Sequence, residues 1–353
     1  MTLENFLEKV VSTNSSDLHI IGGYPPIIRR ESVLSPIPGE EVLTPTKTKE
    51  MVFTILTAEQ RDLLTVNKEV DFSYSLGGKA RFRVNAYNQR GSIAAAFRYI
   101  PAKIRTVEEL NLPKVCHTFA ELRQGFILVT GPTGHGKSTT LAAIIDEINK
   151  LKSCHIVTIE DPIEYVYSPA KSIVSQRELH GDTHSWDIAL RSVLREDPDV
   201  VLVGEMRDYE TIRSALTIAE TGHLVFATLH TNSAAQTVDR IVDVFPEHQQ
   251  SQIRMQLSLT LEAVFSQRLI PSLKGGMVPA AEILVATPAV KTTIREGKTH
   301  LINNIIQTSA EVGMLTLEMS LADLIRRGWV SFELAREYSL RPEELTRLVK
   351  GRK

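Results

Sequence analysis

The sequence is poor in cysteine, lacks long apolar runs and shows no excess of one charge; each shortage excludes a class of protein. Its 353 residues include two cysteines, which form no metal-type spacing and no disulfide framework. Lysine and arginine number 40 against 42 for aspartate and glutamate, so charge does not indicate a nucleic-acid or anionic-lipid partner. No run approaches the length of a membrane span, and the N-terminus MTLENFLEKVV is typical of an amphipathic helix, not a signal peptide. We expect a soluble cytoplasmic protein.

The stretch LVTGPTGHGKSTTL, residues 128–141, fits the phosphate-binding pattern G-x-x-x-x-G-K-[ST]. The run FILVT before it is typical of a buried parallel strand, and apolar residues after it recur at helical spacing. Glycines would let backbone N–H groups approach phosphates at a helix N-terminus, Lys137 would neutralise the β- and γ-phosphates, and Ser138 would hold Mg²⁺. The loop therefore predicts a nucleotide site. Its predicted binding residues are Gly131, Pro132, Thr133, Gly134, His135, Gly136, Lys137, Ser138 and Thr139.

The first hundred residues indicate a mixed α/β arrangement. SDLHII is strand-like, residues 50–64 predict a helix, and RRESVLSPIPGEEV predicts a surface loop. VDFSYSL, ARFRVNAYNQ and SIAAAFRYI predict strands of an antiparallel sheet, with GGK as a hairpin turn. We take residues 1–100 as an N-terminal domain.

Residues 101–114 are proline-containing and polar, which predicts an interdomain linker. From Val115 onward, strand-like runs alternate with segments long enough for crossover helices, the pattern of a P-loop α/β domain with a parallel sheet. Beyond Asn232 the pattern favours helices. We therefore predict a second domain over residues 115–353 with a helical C-terminal region.

Acidic and histidine side chains follow the predicted strands of this second domain. In HIVTIEDPIEY the apolar strand is followed by Glu160, Asp161 and Glu164, and in DPDVVLVGEMRD the strand is followed by Glu205. Residues past the C-terminal ends of parallel strands face the ligand, where a carboxylate can coordinate Mg²⁺ or orient water. The same carboxylates could instead cap the following helices. His230, after the strand HLVFATLH, could sense a γ-phosphate, and the residues leave the role of His223 open.

Four of these segments, GPTGHGKSTT, IEDPIEY, LREDPDVVLVGEMRD and TGHLVFATLHTN, resemble in order the Walker A, Asp, Walker B and His boxes of secretion ATPases. SDLHIIGGYPPIIR, ARFRVNAYNQRG and GMLTLEMSLADLIRRGWVS extend the resemblance over nearly the whole chain. The resemblance implies an α/β protein with an N-terminal PAS-like α+β domain and a RecA-like P-loop ATPase domain. It also implies ATP and Mg²⁺ as cofactors.

The family implies a role for each matching residue. Glu164 would be the general base, Glu205 would lie near Mg²⁺ with Ser138, and Glu160 and Asp161 would line the nucleotide. His223 and His230 match the histidines of the His box. Arg83 and Arg98 match N-domain arginines that bring positive charge to the triphosphate. Without the resemblance, the residues would equally allow that both are exposed arginines on one face of a strand, with no role at the nucleotide.

Within this family the sequence resembles the type IV pilus retraction ATPases. With only Cys116 and Cys154 it cannot build the four-cysteine zinc motif typical of extension and secretion ATPases. His135 stands where serine is common, and AVKTTIRE, residues 289–296, departs from the family segment AIRNLIRE.

The resemblance implies a homo-hexameric motor that works on an inner-membrane platform protein at the pilus base, without inserting in the membrane itself. Its two domains would close on ATP and rotate as rigid bodies. Alternatives are an accessory retraction ATPase or a secretion or extension ATPase of the superfamily. A nucleic-acid motor, a GTPase and a hydrolysis-dead scaffold are less favoured. The sequence lacks a basic aromatic-interleaved stretch and an N-K-x-D motif, and it retains Lys137, Glu164 and Glu205.

Overall fold

The computed structural model describes residues 1–30, 33–78, 80–100 and 103–351. The chain divides into two compact units, Met1–Lys103 with Asp161–Val166, and Ile104–Glu160 with Tyr167–Lys353. Residues 104–114, predicted as a linker, thus belong to the second unit, because Val107 and Leu112 are buried in its core. Pro101 and Ala102, also part of the predicted linker, lie outside the described residues. The domain boundaries drawn from the sequence stay a prediction.

In its described residues, the first unit combines three helices with a six-stranded antiparallel sheet of order β3-β2-β1-β6-β5-β4. Its elements are α1 (Leu3–Ser12), β1 (Asp17–Ile20), β2 (Ile27–Arg30), β3 (Val33–Pro36), α2 (Pro45–Phe53), α3 (Ala58–Asn67), β4 (Glu69–Leu76), β5 (Ala80–Gln89) and β6 (Ser92–Ile100). The expected amphipathic N-terminal helix is α1, which buries Leu3, Phe6, Leu7 and Val10. Strands β4, β5 and β6 follow the predicted order.

Two predictions in this unit differ from the structure. The helix predicted over residues 50–64 is two helices, because Thr57 caps α3: its hydroxyl accepts the Gln60 N–H while Gln60 Oε1 accepts the Thr57 N–H. The predicted surface loop contains the exposed edge strand β3, which pairs with β2. Glu31 and Ser32 of that loop, and Lys79 of the predicted GGK turn, lie outside the described residues.

The second unit is built on a seven-stranded sheet of order β13-β12-β7-β11-β10-β8-β9. Its strands are β7 (Gly125–Thr130), β8 (His155–Glu160), β9 (Ile173–Glu178), β10 (Val200–Val203), β11 (Leu224–Leu229), β12 (Leu261–Pro271) and β13 (Met277–Val285). All neighbours pair in parallel except β12 with β13. Strands β7, β10 and β11 are buried along their whole length, which is why they appear in the sequence as continuous apolar runs.

Helices surround this sheet and form the C-terminal part. They are α4 (Val115–Glu121), α5 (Lys137–Leu151), α6 (Trp186–Val193), α7 (Tyr209–Glu220), α8 (Ala234–Asp243), α9 (Glu247–Thr260), α10 (Pro288–Arg295), α11 (Ile302–Thr308), α12 (Leu317–Arg326), α13 (Phe332–Tyr338) and α14 (Pro342–Lys350), with 3₁₀ turns at Thr299–Leu301 and Ala310–Val312. Among the helices of the described residues, none is both long and apolar enough to cross a membrane.

The expected helical region beyond Asn232 is interrupted by the hairpin of β12 and β13. Helix α9 ends at Thr260 and β12 begins at Leu261, so no glycine or proline marks the change in the sequence. The remaining signal is the turn between the two strands, where Gly275 and Gly276 adopt positive φ angles. This hairpin places β12 directly beside β7, the strand that leads into the predicted phosphate loop.

Candidate nucleotide-binding site

The loop 131–136 connects β7 to the N-terminus of α5, as the sequence predicts. Gly131 has a φ angle of 141°. A Cβ atom there would overlap the carbonyl oxygen of Gln267 on β12, so only glycine fits. Gly136 has a φ angle of 80° and forms the N-cap of α5, where no side chain of the described residues caps the helix. The helix N-terminus therefore presents backbone N–H groups and partial positive charge, which suits a phosphate.

Lys137 folds back under this loop and is 9% exposed. Its Nζ donates to the carbonyl oxygens of Gly131 at 2.9 Å and Pro132 at 3.1 Å. The same Nζ lies 3.4 Å from Nδ1 of His230. The ammonium group is thus held at the loop with its position fixed by backbone carbonyls.

Glu205 and His230 follow the neighbouring strands β10 and β11 and contact each other. Oε1 of Glu205 lies 2.9 Å from Nε2 of His230, and Oε2 accepts a hydrogen bond from Arg207 at 3.0 Å. Burial opposes ionisation of Glu205, but Arg207 and His230 outweigh it and hold the pKa of the carboxyl below its usual value. A neutral His230 satisfies these contacts if its Nε2–H donates to Glu205 and its Nδ1 accepts from Lys137 or Thr133. Lys137, His230 and Glu205 therefore form a connected set beside the loop.

His135 turns toward β12. Its Nδ1 accepts a hydrogen bond from the Leu269 N–H at 2.9 Å, and its carbonyl oxygen accepts one from Gln267 Nε2 at 2.7 Å. Burial lowers the pKa of the imidazole, and the positive charges of Arg268 and Lys137 lower it further. The ring is therefore a neutral acceptor in this arrangement.

Glu160, at the end of β8, is buried and already has partners. Its Oε1 accepts hydrogen bonds from Thr158 at 2.7 Å and from Gln176 at 3.3 Å. Both partners belong to the sheet, on β8 and β9. Glu160 is fixed as an anchored carboxylate at the strand end.

Four predicted residues, Arg83, Arg98, Asp161 and Glu164, belong to the first unit. Arg83 and Arg98 are direct cross-strand partners on β5 and β6. Arg83 Nη1 lies 3.9 Å from Glu164 Oε1, and Arg98 Nε donates to Asp17 Oδ1 at 3.1 Å. The two guanidinium groups therefore share one face of the sheet, and each stands beside a carboxylate.

The structure does not bring His223 to the phosphate loop. It precedes β11, while His230 follows that strand, so the two histidines are separated by about 23 Å at a rise of about 3.3 Å per residue. His223 Nδ1 instead contacts Ile218 O and Thr221 Oγ1 at the end of α7, both at 3.0 Å. The sequence spacing of a histidine pair does not reveal that a whole strand separates its members.

Sequence reasoning missed Gln267 and Arg268, both on β12. Gln267 contacts the phosphate loop directly, and Arg268 Nη2 lies 3.4 Å from Oδ1 of Asn232, two residues after His230. Both residues were missed because the hairpin of β12 and β13 was not predicted, and nothing in the local sequence pattern placed β12 beside the phosphate loop.

The parallel sheet, the loop after β7 and the acidic strand ends define a P-loop ATPase of the RecA-like class. Residues 102–320 match the type II/IV secretion system protein family, and the chain belongs to that family.

Two curated relatives come from Pseudomonas aeruginosa. The type IV pilus retraction ATPase PilT is 48% identical over 97% of this chain and 99% of its own length. The type IV pilus ATPase PilU is 38% identical over 99% of this chain and 92% of its own length. The crystal structure of the pilus retraction motor PilT with bound ADP superposes with a TM-score of 0.92 at 44% identity, covering 98% of this chain and 99% of that one.

Proposed function

We propose that this chain is an ATP-hydrolysing motor that powers type IV pilus retraction. The observation that carries the proposal is similarity over nearly the whole length to the retraction ATPase PilT, at 48% identity against 38% for PilU. A motor of this kind needs a site that binds and cleaves a nucleotide, and the second unit supplies the parts described above.

The positions of the residues in the second unit support the roles that we propose for them. Loop residues 131–139 bind the phosphates, with Lys137 providing positive charge. Ser138 and the ionised Glu205 are the hard oxygen donors that Mg²⁺ prefers, so they are the proposed metal residues. When bound, Mg²⁺ neutralises charge on the phosphates. His230, between Lys137 and Glu205, senses the γ-phosphate.

Residues of the first unit also have proposed chemical roles. Glu164 is the proposed general base, and Arg83 and Arg98 stabilise charge that develops on the phosphates. Glu160 and Asp161 are the remaining proposed nucleotide contacts. His223 is left out, because it lies at the far end of β11.

The proposed working form is a homo-hexamer at the cytoplasmic face of the inner membrane. ATP turnover in each subunit drives a domain rotation, and an inner-membrane platform protein of the pilus machine receives the force.

The replacement Lys137→Ala tests the proposal. We expect it to abolish ATP turnover by the purified protein, because the loop loses its only lysine. A host that carries the replacement in its chromosome should then show surplus pili that fail to retract. Lys150→Ala is the control: Lys150 lies on the same helix but is exposed and pairs with Asp146.

Each contrary result has a separate meaning. Near-normal turnover in Lys137→Ala would remove the assignment of the site. Loss of turnover with no pili on the cells would indicate an extension motor. Loss of turnover with normal retraction would indicate an accessory ATPase.

A further inference from the structure

Gln267 on β12 is buried against the phosphate loop, at 2% exposure. Its Oε1 accepts a hydrogen bond from the Thr140 hydroxyl at 2.6 Å, and its Nε2 donates to the His135 carbonyl oxygen at 2.7 Å. His135 lies on the loop and Thr140 in the first turn of α5, so the two partners stand on either side of Lys137 in the chain. One amide group therefore connects the loop to the helix that follows it.

Gly131 and Gly136, the two glycines of the phosphate-binding pattern, approach the same residue. A Cβ atom at Gly131 would overlap the Gln267 carbonyl oxygen, and one at Gly136 would come within 2.9 Å of Gln267 Nε2. The lack of a side chain at these two glycines thus allows the loop to approach β12, besides the close approach to phosphate that is proposed for it. The loop therefore lies close to Gln267 both at its first residue, Gly131, and at its last, Gly136.

A further hydrogen bond fixes the loop to the same strand. The backbone N–H of Leu269, two residues after Gln267, donates to His135 Nδ1 at 2.9 Å. The strand β12 pairs in parallel with β7, which leads into the loop, so its position is set by the sheet itself. The sheet therefore provides a rigid reference for the loop.

We propose that Gln267 is a positioning residue of the nucleotide site, and this inference rests on the proposed function. By fixing the separation between His135 and Thr140, its amide aims the N–H groups of the loop and the Lys137 ammonium at the phosphates. Gln267 acts through the loop. A displacement of about 1 Å in such a site can reduce the rate about a hundredfold, so a residue that fixes the loop controls both binding and turnover.

The test replaces Gln267 by methionine, which keeps the length of the side chain and removes both hydrogen bonds. We expect KM for ATP to rise and kcat to fall, each about tenfold, because the loop loses two anchors. Ser266→Ala is the matched control. It changes the preceding, buried residue of β12, whose side chain points to the opposite face of the strand.

A second pair of variants examines the same contact from the helix. Thr140→Ser keeps the hydroxyl donor and should behave like the wild type, whereas Thr140→Val keeps the shape, removes one of the two hydrogen bonds of Gln267 and should show a smaller change of the same kind as Gln267→Met. Since Gln267→Met already breaks the hydrogen bond that Thr140→Val removes, the double variant Gln267→Met/Thr140→Val should be little worse than Gln267→Met.

Kinetics separate positioning from a merely structural role. A structural role would lower the unfolding temperature of the nucleotide-free protein and leave KM and kcat near wild type at a temperature where the variant is folded. That result, or equal kinetics for Thr140→Ser and Thr140→Val, overturns the inference. If Gln267→Met does not fold, the comparison of Thr140→Ser with Thr140→Val tests the inference by itself. A wild-type protein that neither binds nor hydrolyses ATP would overturn the proposed function, and the inference with it. If the wild type hydrolyses ATP and the kinetics of Gln267→Met and Thr140→Val are unchanged, only the inference is overturned.

Discussion

His135 shows how a single side chain of the loop depends on its surroundings. Its ring accepts a hydrogen bond from the Leu269 N–H. Acceptance requires an unprotonated Nδ1, and burial together with Arg268 and Lys137 lowers the pKa of the ring from 6.5. His135 therefore makes a contact that acid can break.

This contact predicts a pH dependence of stability. The unfolded chain binds more protons than the folded chain at pH values between the lowered pKa and 6.5. The stabilising contribution is therefore complete above pH 6.5 and is lost as the pH falls through the lowered folded pKa. We expect His135→Ser to flatten the fall in the free energy of unfolding between pH 6.5 and pH 5, measured by denaturant-induced unfolding, by less than the limit of about 1.4 kcal/mol per pH unit for one proton. His248→Ser, at an exposed position of α9, is the control, and an unchanged slope in His135→Ser would refute the prediction.

Helices α12, α13 and α14 show how one buried side chain can hold several elements together. Glu318 on α12 is 1% exposed, and its Oε1 accepts hydrogen bonds from the Ser339 hydroxyl and from the backbone N–H groups of Leu340 and Arg341. Arg341 Nη1 lies 3.6 Å from Oε2. This carboxylate satisfies the backbone of the turn between α13 and α14.

We predict that Glu318→Ala lowers the free energy of unfolding by about 3 kcal/mol, because it leaves the part-buried N–H groups of Leu340 and Arg341 and the Ser339 hydroxyl without an acceptor. Glu333→Ala, at an exposed position in the first turn of α13, should change it by less than about 0.5 kcal/mol. Denaturant-induced unfolding of both variants measures the difference. Equal stabilities of the two would show that Glu318 does not hold the turn.

The elements also show what local pattern can predict. Strands β7, β10 and β11 were predicted correctly because a strand buried on both faces leaves a continuous apolar run. The single helix predicted over residues 50–64 is two helices because the capping box at Thr57 begins a new one. Apolar periodicity does not reveal a capping box, so it predicted one helix. The strand β12 was missed because it follows α9 without a turn residue.

The proposed hexamer makes a prediction about the molecule as a whole. A chain of 39.4 kDa should assemble into a particle of about six times that mass. Light scattering on the purified protein, with and without ADP, measures this mass. A monomer under all conditions would remove the hexameric motor from the proposed function and leave the nucleotide site of a single chain in place.

The sequence by itself determined the phosphate loop, the acidic strand ends and the family, because each is a pattern of residues close together in the chain. Fixed spacing in such patterns reflects local geometry: a strand, a turn and a helix N-terminus. Only the tertiary structure decided that Gln267 contacts Thr140, 127 residues away, and that His223 lies far from His230. The physical reason is strand order. The position of β12 beside β7 depends on how the whole sheet packs, and no local pattern contains that information.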